Sequence, residues 1–538
     1  MATRGQRGMT SLAAVQRRPR APAVSGRHLG QADWLIVGLL VAVRIVIGLI
    51  QISRPGLQND EVLFVNAATL GIPHLFIQYQ VLGIPVMVFP YIGALKSWLY
   101  IPIFAAFGES PMSIRLPAEL ITTAGLVLLY PAVRSLVNRP VALLTFALLC
   151  FDNSLFWLTR DDVGPSAVEF FLKCAGIFFA YRLSRSGRLR WLALLVLAVA
   201  LGVFNKLNFI WVVNAVALVS IGPVLASRAR LRRRPAAAAI WIGGLVVIYA
   251  AFGSYYLTQH IGLINASHHH GPVLSHTWPR WVSGIEALVS GTWFYSYALA
   301  GIEPRVVIAY ILGVLFIVGG LASLSKRWAN SAVASMTLIT LLINVEMLVT
   351  YAATAGWHYI SIYPFVFVVA SYGAWTLARA VRLSWRQAAV VMTAVAVAFF
   401  AYDGVLMAKY FRALNGEPRF SGWSPAIYKL SDYLRRRPGT VIAVDWGITP
   451  PLFALDPNPR WHVYFGFADA SSPIQIRLAA EAIAGVPGRK LIVAYTPQKE
   501  LNHGVDANLA AGERGHLRLL TTIRGDSGAT VYNVYLYH

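Results

Sequence analysis

Eleven apolar runs recur between residues 34 and 401, each 14 to 22 residues long and with few charged side chains. A helix rises about 1.5 Å per residue, so about 20 such residues cross the roughly 30 Å hydrocarbon layer of a bilayer. The pattern therefore predicts a polytopic α-helical membrane protein with about 11 transmembrane helices. The runs are Trp34–Ile52, Pro117–Leu136, Val141–Leu158, Pro165–Tyr181, Trp191–Phe204, Phe209–Ala226, Ala236–Leu257, Val306–Leu324, Ala332–Tyr351, Tyr359–Ala378 and Ala388–Ala401.

Residues 410–538 show a different pattern, in which short strand-like and helix-like segments alternate. The strand-like segments are "TVIAVDW", "KLIVAYTP", "LRLLTTI" and "TVYNVYLY", and "IQIRLAAEAIAG" has the character of a helix. Such alternation is typical of a small α/β domain. We therefore divide the chain into a disordered basic arm (1–33), a transmembrane domain (34–409) and an α/β domain (410–538).

Arginine and lysine residues cluster in every second loop between the apolar runs, in segments 134–139, 182–190, 228–234, 326–327 and 379–386. Short loops rich in these residues stay on the cytoplasmic side of a membrane. With eleven spans and the basic arm inside, all of these clusters are cytoplasmic. The α/β domain and the loops with acidic, histidine and asparagine residues then lie on the extracytoplasmic side.

The segment "YIGALKSWLYIPIFAAFG" (91–108) is apolar enough to form a twelfth span. If it crossed, the first three basic clusters would lie outside, against the usual charge bias. We therefore predict that residues 54–114 form one large external loop with amphipathic helices that lie on the membrane.

Composition narrows the function further. The chain carries a net charge of +23, but its basic residues lie between apolar runs and lack interleaved aromatic residues, so the charge reflects topology and excludes a nucleic-acid partner. Its two cysteines, Cys150 and Cys174, both fall inside apolar runs, which predicts buried free thiols. The sequence contains no cleavable signal, P-loop, GxGxxG or HExxH pattern.

Two acidic pairs follow apolar runs on the side predicted to be external: Asp60 with Glu61, and Asp161 with Asp162. Carboxylates at corresponding depths can face one cavity, where one acts as a general base and another orients an acceptor or binds a metal. The alternative is helix capping, since Asp and Glu favour first turns and Pro165 begins a new helix just beyond the second pair.

Four cationic or histidine side chains share that side: Lys96, Arg160, Lys206 and His358. Lys206 follows an unusually short apolar run, which places it at headgroup depth. Desolvated phosphoryl oxygens require paired cations, so these residues are candidates for binding the phosphate of a lipid donor. Simple snorkelling of lysine toward headgroups is the alternative.

Histidines at 268–270 and a glutamate inside the ninth run complete the unusual polar groups. His268 and His270 are weak candidates for a metal, because adjacent histidines fit one tetrahedral ion poorly. Glu346 requires a hydrogen-bonding partner in the membrane. The sequence predicts no definite cofactor and leaves a divalent metal as the one open candidate.

The order of these features resembles the GT-C fold glycosyltransferases that use lipid-linked sugars, in the group of protein O-mannosyltransferases and bacterial aminoarabinose transferases. The resemblance covers about residues 34–220, with weaker support at "GWHYISIYPFVF". It is carried by the "DE" pair at 60–61 and then by "GALKSWLYIPIFAAFGESPMSIRLPA", "FWLTRDDVGPSAVEFF" and "ALGVFNKLNFIW". The family often has two prolines where this chain reads "LKSW".

The resemblance implies that Asp60 is the catalytic base and that Asp162 or Asp161 is the second acidic group. It implies transfer of a sugar from a polyprenyl-phosphate donor to a glycan, lipid or protein acceptor outside a bacterial-type plasma membrane, with inversion. One base and a set of phosphate-binding cations suffice for that chemistry, because polyprenyl phosphate leaves as a stable anion. The main alternative is a lipid or solute transporter or flippase, although such proteins place their sites at the midplane between repeated halves.

Overall fold

The computed structural model describes residues 30–538 apart from 70–76, 78, 90, 227–234, 268–273, 300–305, 351–354, 417, 459, 465, 468–469, 503 and 514. The predicted disordered arm lies almost wholly outside the described residues. Its last three positions, residues 31–33, are helical and begin the first span.

Residues 31–226 form helices of the predicted membrane domain and one small antiparallel sheet, whose strand order is β1-β2-β3. These elements are α1 (Gln31–Leu49), α2 (Asn59–Asn66), β1 (Tyr79–Val81), β2 (Ile84–Phe89), β3 (Ile92–Gly93), α3 (Leu95–Phe107), α4 (Pro111–Leu136), α5 (Arg139–Phe151), α6 (Asn153–Arg160), α7 (Ser166–Ser186), α8 (Leu189–Asn205) and α9 (Ile210–Ala226).

The helical domain continues with seven more α-helices among the described residues. They are α10 (Pro235–Ser267), α11 (Leu274–Val289), α12 (Val306–Leu324), α13 (Ser331–Thr350), α14 (Gly356–Tyr359), α15 (Phe365–Ala380) and α16 (Trp385–Ala413). A short π-helical stretch, Tyr295–Leu299, lies between α11 and α12. Helix α16 continues four residues past the predicted domain boundary at 409.

The C-terminal residues form the predicted α/β domain, and each strand-like or helix-like segment named above adopts the expected structure. A five-stranded sheet has the order β5-β4-β6-β8-β7, with β4 parallel to both β5 and β6 and with β8 antiparallel to β6 and β7. Its elements are α17 (Ala426–Arg435), β4 (Thr440–Ala443), α18 (Thr449–Leu455), β5 (Trp461–Val463), α19 (Pro473–Ala484), β6 (Lys490–Tyr495), α20 (Val505–Gly512), β7 (Leu517–Arg524) and β8 (Thr530–Tyr537).

Each of the eleven predicted apolar runs lies largely within a helix or a bent pair of helices. Five described helices are long and apolar enough to cross a membrane, or up to seven if each bent pair is counted as one span. Helices α8, α9 and α10 contain shorter apolar stretches. The helical membrane fold is confirmed, and the count of eleven spans stays a prediction.

The third predicted span bends by 54° between α5 and α6, at Asp152. The Asp152 carboxylate accepts a hydrogen bond from the backbone N–H of Leu155 at 2.7 Å and so caps the start of α6. The side chain of Asn153 donates to Asp403 of α16 at 3.0 Å. Polar groups inside the bundle thus fix the bend, since unsatisfied backbone groups are costly within a membrane.

Helix α3 lies in residues 91–108, the segment that is apolar enough to form a twelfth span. It has 13 residues, and is therefore about 20 Å long, too short for a hydrocarbon layer of about 30 Å. Lys96, Ser97 and Tyr100 are buried on one side of it, and Trp98 and Leu99 are exposed. The prediction that residues 91–108 do not cross the membrane stays a prediction.

The α/β domain docks directly onto the loop that follows α1. The backbone N–H of Gly56 donates to the carbonyl oxygen of Trp423 at 2.7 Å, and the side chain of Asn66 donates to the carbonyl oxygen of Pro450 at 3.1 Å. A Cβ atom at Gly56 would lie 2.2 Å from the carbonyl oxygen of Ser424, so only glycine permits this approach. The two domains therefore form a common boundary around α2.

Candidate active site

Asp60 lies in the first turn of α2 and is held by its two preceding neighbours. The side chain of Gln58 accepts a hydrogen bond from the backbone N–H of Asp60 at 2.6 Å, and Asn59 donates to Asp60 Oδ1 at 2.9 Å. Partial burial raises the pKa of the Asp60 carboxyl, while the Asn59 hydrogen bond and the nearby Lys206 ammonium act to lower it. A raised pKa brings a carboxylate closer to the strength of base that proton abstraction needs.

Lys206 and Asp60 lie on either side of Gly164, and both contact it. The backbone N–H of Gly164 makes a long, 3.4 Å hydrogen bond to the carbonyl oxygen of Asp60. A Cβ atom on Gly164 would lie only 3.1 Å from Lys206 Nζ, so the ammonium packs against the glycine. Lys206 Nζ also donates to the carbonyl oxygen of Trp357 at 2.8 Å. The structure thus brings together the predicted base and one predicted phosphate-binding cation.

Burial lowers the pKa of Lys206 to about 8, because desolvation disfavours the ammonium more than nearby carboxylates favour it. Its side chain is 1% exposed. Lys206 is thus a buried cation at the end of a helix, whereas a lysine that snorkels keeps its ammonium group in the headgroup layer.

A cavity of about 330 Å³ opens beside Asp60, at the boundary between the two domains. Its walls are largely aromatic and apolar, and Asp60 is the one charged side chain among its described lining residues. The lining residues are Asn59, Asp60, Leu63, Phe64, Phe89, Tyr91, Trp446, Gly447, Thr449, Pro450 and Val463. Half of this site therefore comes from the α/β domain.

An aromatic wall connects the cavity to Lys206. The ring of Trp446 contacts Phe420 at a centroid distance of 6.1 Å, Phe420 contacts Tyr297 at 5.5 Å, and Tyr297 contacts Trp357 at 5.6 Å. The predicted donor-binding residue His358 follows Trp357, and their rings lie 6.0 Å apart. The wall runs from the α/β domain to the carbonyl group that Lys206 contacts.

Glu61 has a different environment from its neighbour Asp60. It is fully buried, and Arg115 donates to both of its oxygens, at 2.5 and 2.8 Å. Arg115 also lies 3.3 Å from Asp161, which in turn lies 3.5 Å from Arg160. These four buried charges balance one another in one ion-pair network, and the predicted catalytic roles of Glu61 and Asp161 stay predictions.

Asp162 makes the helix-end contacts that the sequence left as its alternative. Its Oδ1 accepts from the backbone N–H of Ala167 in the first turn of α7 at 2.7 Å. Its Oδ2 pairs with Lys96 Nζ at 2.7 Å, and Lys96 also donates to the carbonyl oxygen of Glu61 at 3.2 Å. Lys96 is therefore paired with a buried carboxylate, and its predicted role at a donor phosphate stays a prediction.

Arg160 is likewise engaged inside the protein. Its guanidinium is fully buried and donates to the carbonyl oxygens of four residues in segment 48–54, at 2.8 to 3.4 Å. The sequence predicts that Arg160 binds the donor phosphate. In the structure, its guanidinium holds the segment that follows α1. Proximity to an acidic pair in sequence did not reveal these carbonyl partners.

The remaining predicted polar groups lie elsewhere. His268 and His270, the weak metal candidates, are outside the described residues. Glu346 of α13 accepts from the side chain of Asn214 in α9 at 2.7 Å, which identifies the partner that the sequence left unnamed. No group of three or more histidine, cysteine, aspartate or glutamate side chains suited to a metal occurs in the described part of the chain.

Sequence reasoning missed Arg115, Gly164 and Trp446. Arg115 stands in the stretch "SIRLPA", which carried part of the family resemblance, so a signal was available. Gly164 has a φ of +69°, in the left-handed region that favours glycine. Trp446 is the last residue of the strand-like segment "TVIAVDW", but nothing local to it indicates that it lies near Asp60 of the other domain.

The sequence between residues 93 and 254 matches the profile of the family described as dolichyl-phosphate-mannose-protein mannosyltransferase. No protein of curated function matches the sequence. The matched segment contains α3 to α9, including Lys206, and begins after Asp60.

Several solved membrane proteins share the fold over most of this chain. ArnT from Cupriavidus metallidurans bound to undecaprenyl phosphate superposes with a TM-score of 0.56 at 13% identity, over 94% of this chain and 98% of that chain. Archaeal AglB from Archaeoglobus fulgidus, in complex with an inhibitory peptide and a dolichol-phosphate, gives 0.52 at 10% identity, over 94% and 74%.

The arabinofuranosyltransferase AftD from Mycobacteria gives a TM-score of 0.50 at 14% identity, over 93% of this chain and 39% of the longer AftD chain. Identities this low show a common fold, and a fold by itself does not define a reaction. The chain thus has the GT-C fold of these membrane glycosyltransferases, with a segment that matches the dolichyl-phosphate-mannose-protein mannosyltransferase profile.

Proposed function

We propose that this protein is a membrane glycosyltransferase that moves a sugar from a polyprenyl-phosphate donor to an acceptor hydroxyl on the extracytoplasmic side. The observation that carries the proposal is that Asp60 lines a cavity, while Lys206 packs against Gly164, whose backbone N–H contacts the carbonyl oxygen of Asp60. Support for the donor class comes from ArnT and AglB, whose structures hold undecaprenyl phosphate and dolichol-phosphate. The extracytoplasmic side is supported by the basic loops. Such loops favour the cytoplasm, and the proposed site lies at the other ends of the predicted spans.

The reaction needs one base and one cationic site. The acceptor oxygen attacks the anomeric carbon of the donor sugar and forms the new glycosidic bond, and its proton passes to the Asp60 carboxylate. The bond between the anomeric carbon and the phosphate oxygen breaks, and its electron pair leaves with polyprenyl phosphate. Lys206 stabilises the charge on that phosphate, and single displacement inverts the anomeric configuration.

The two groups are suited to these roles by their surroundings. Asp60 is the one carboxylate of the two predicted pairs without an ion-pair partner within 4.0 Å among the described residues, whereas Glu61, Asp161 and Asp162 are paired. Lys206 contacts a backbone carbonyl oxygen and retains donor capacity for an anion. The aromatic wall beside them limits the access of water, which strengthens electrostatic interactions at the site.

The direct test is a panel of polyprenyl-phosphate sugars incubated with purified protein in detergent or in vesicles. We expect one sugar class to be lost from the panel, with release of polyprenyl phosphate, and the Asp60→Asn variant to leave the same panel intact. Lipid-linked sugar that crosses vesicles without cleavage would instead indicate a flippase. If no sugar is lost from any donor of the panel when acceptors are supplied, the proposal is contradicted.

The pKa of Lys206 predicts a pH limit for donor use. The ammonium form predominates below pH 8 and is lost as the pH rises through about 8. The kcat/KM for the donor reports the free enzyme, so we expect it to fall about ten-fold per pH unit above that value. Measured rates at fixed acceptor concentration between pH 6 and pH 10 would show this alkaline limb.

Lys206→Arg is the matched variant for the pH experiment. Arginine stays charged beyond about pH 12, so the alkaline limb should disappear even if the variant binds the donor less well. The same limb in Lys206→Arg would assign the titration to another group and would return Lys206 to a role in packing.

A further inference from the structure

The cavity beside Asp60 lies at a special position of the α/β domain, outside the carboxyl ends of two parallel strands. The segment 446–450 follows β4, and Val463 is the last residue of β5. Both the segment and Val463 contribute to the lining of the cavity. Helix α18 follows β4, and its side chain Leu452 packs on the face of the sheet that Val441 and Ala443 form. Helix α19, which follows β5, packs on the opposite face, against Ile442 and Ile492.

The connections from β4 and β5 therefore leave toward opposite faces of the sheet. Open α/β sheets bind their ligands in the crevice outside the carboxyl ends of their strands, and the ends of β4 and β5 line that crevice here. In this protein the crevice is closed from the other side by α2, with Asp60 at its edge. The α/β domain thus presents its usual ligand-binding position to the proposed catalytic base.

Trp446 is held at this crevice by its neighbours. The Asp445 carboxylate is buried and accepts from the backbone N–H of Trp446 at 2.7 Å and from the side chain of Asn502 at 3.4 Å. Gly447 follows with a φ of +82°, a left-handed turn that directs the chain across the strand end. The ring of Phe420 packs against the indole in a T-shaped arrangement.

The composition of the cavity indicates which class of molecule it takes. Four aromatic side chains, Phe64, Phe89, Tyr91 and Trp446, line it together with the polar groups of Asn59 and Thr449. A sugar ring has apolar C–H faces and a rim of hydroxyl groups, which matches aromatic walls with a few polar groups. Asp60 is the one charge among the described lining residues, so the cavity favours a neutral ligand over an anionic one.

The cavity is on the acceptor side of the reaction. A general base must contact the acceptor hydroxyl, whereas the donor phosphate must contact Lys206. Asp60 lines the cavity, and Lys206 does not. We propose, on the basis of the function above, that the ends of β4 and β5 bind the sugar ring of a carbohydrate acceptor, with Trp446 as the stacking surface that determines specificity.

The test uses the full-length protein, the active donor from the panel, and neutral octyl glycosides of pentoses and hexoses as acceptor probes. A peptide with serine and threonine is the non-carbohydrate probe. We expect transfer to a glycoside, and we expect Trp446→Ala to raise KM for that glycoside about ten-fold, with Trp446→Phe between the two because a smaller ring still stacks. Trp385→Ala, which removes an exposed tryptophan at the first position of α16, is the matched control.

Three outcomes would overturn the inference while wild-type transfer remains intact. These are an unchanged glycoside KM in Trp446→Ala, a defect that falls on the donor KM instead, and wild-type transfer to the peptide alone. Absence of wild-type transfer to any acceptor would count against the proposed function itself. Thermal unfolding of each variant identifies misfolding, and if Trp446→Ala is unstable, Trp446→Phe carries the same KM comparison.

Discussion

Replacement of Asp60 by asparagine is expected to abolish most sugar transfer while leaving the protein folded and able to bind its donor. Asparagine keeps the shape of the side chain and the contact with Asn59, but it cannot accept the acceptor proton. Loss of a general base typically slows a reaction by about 10²–10⁴-fold, or about 3–5 kcal/mol of barrier. Single-turnover transfer rates with saturating donor would measure the loss.

One further variant helps to separate catalysis from helix capping in this experiment. Asparagine is as good a helix cap as aspartate, so a purely structural Asp60 would make the substitution nearly silent. Asp162→Asn provides the contrast, since it leaves Lys96 buried without its carboxylate partner and should lower stability. Near-wild-type transfer by Asp60→Asn would remove Asp60 from the proposed mechanism.

Replacement of Arg115 by methionine is expected to destabilise the fold more than any surface change. Arg115 is fully buried and pairs with Glu61 and Asp161, which are also buried. Removal of one partner from a buried ion pair leaves uncompensated charge and costs about 3–5 kcal/mol. We expect an apparent Tm several degrees lower in detergent, together with reduced yield of folded protein.

Arg477→Met is the matched control for that measurement. Arg477 and Glu481 form an exposed pair at 3.6 Å on α19, with side chains 72% and 63% exposed. Exposed pairs contribute about 0–1 kcal/mol, so this variant should keep the wild-type Tm. Equal Tm values for Arg115→Met and wild type would show that the network does not stabilise the folded state, whereas partial recovery on adding Glu61→Gln would support it.

Much of the fold could be predicted because its signals are local. Long apolar runs must form helices in a membrane, where every backbone polar group needs a partner within its own segment. The strand-like segments of residues 440–446 and 530–537 likewise adopt the predicted strands β4 and β8. The order of the five strands was not predictable from these segments, because β8 forms a hairpin with β7 and also pairs with the distant strand β6, where Lys490 lies opposite Tyr537.

The candidate site was predicted only in part. Asp60 and Lys206 were both singled out by residue type and position along the chain, and they lie together around Gly164. Glu61 and Arg160 were singled out by the same reasoning, yet both face internal partners. A residue's neighbours in sequence do not reveal whether its charge is already balanced inside the fold.

The sequence by itself determined that this is a helical membrane protein with an α/β domain, and it located one acidic pair and one lysine at the membrane edge. These properties depend on hydrophobic periodicity and residue type, which act within about 20 residues of the chain. The tertiary structure alone decided which carboxylate remains accessible, because Arg115 reaches Glu61 across 54 positions. It also decided that Trp446 faces Asp60, because the domains meet there through packing and hydrogen bonds that join residues nearly 400 positions apart.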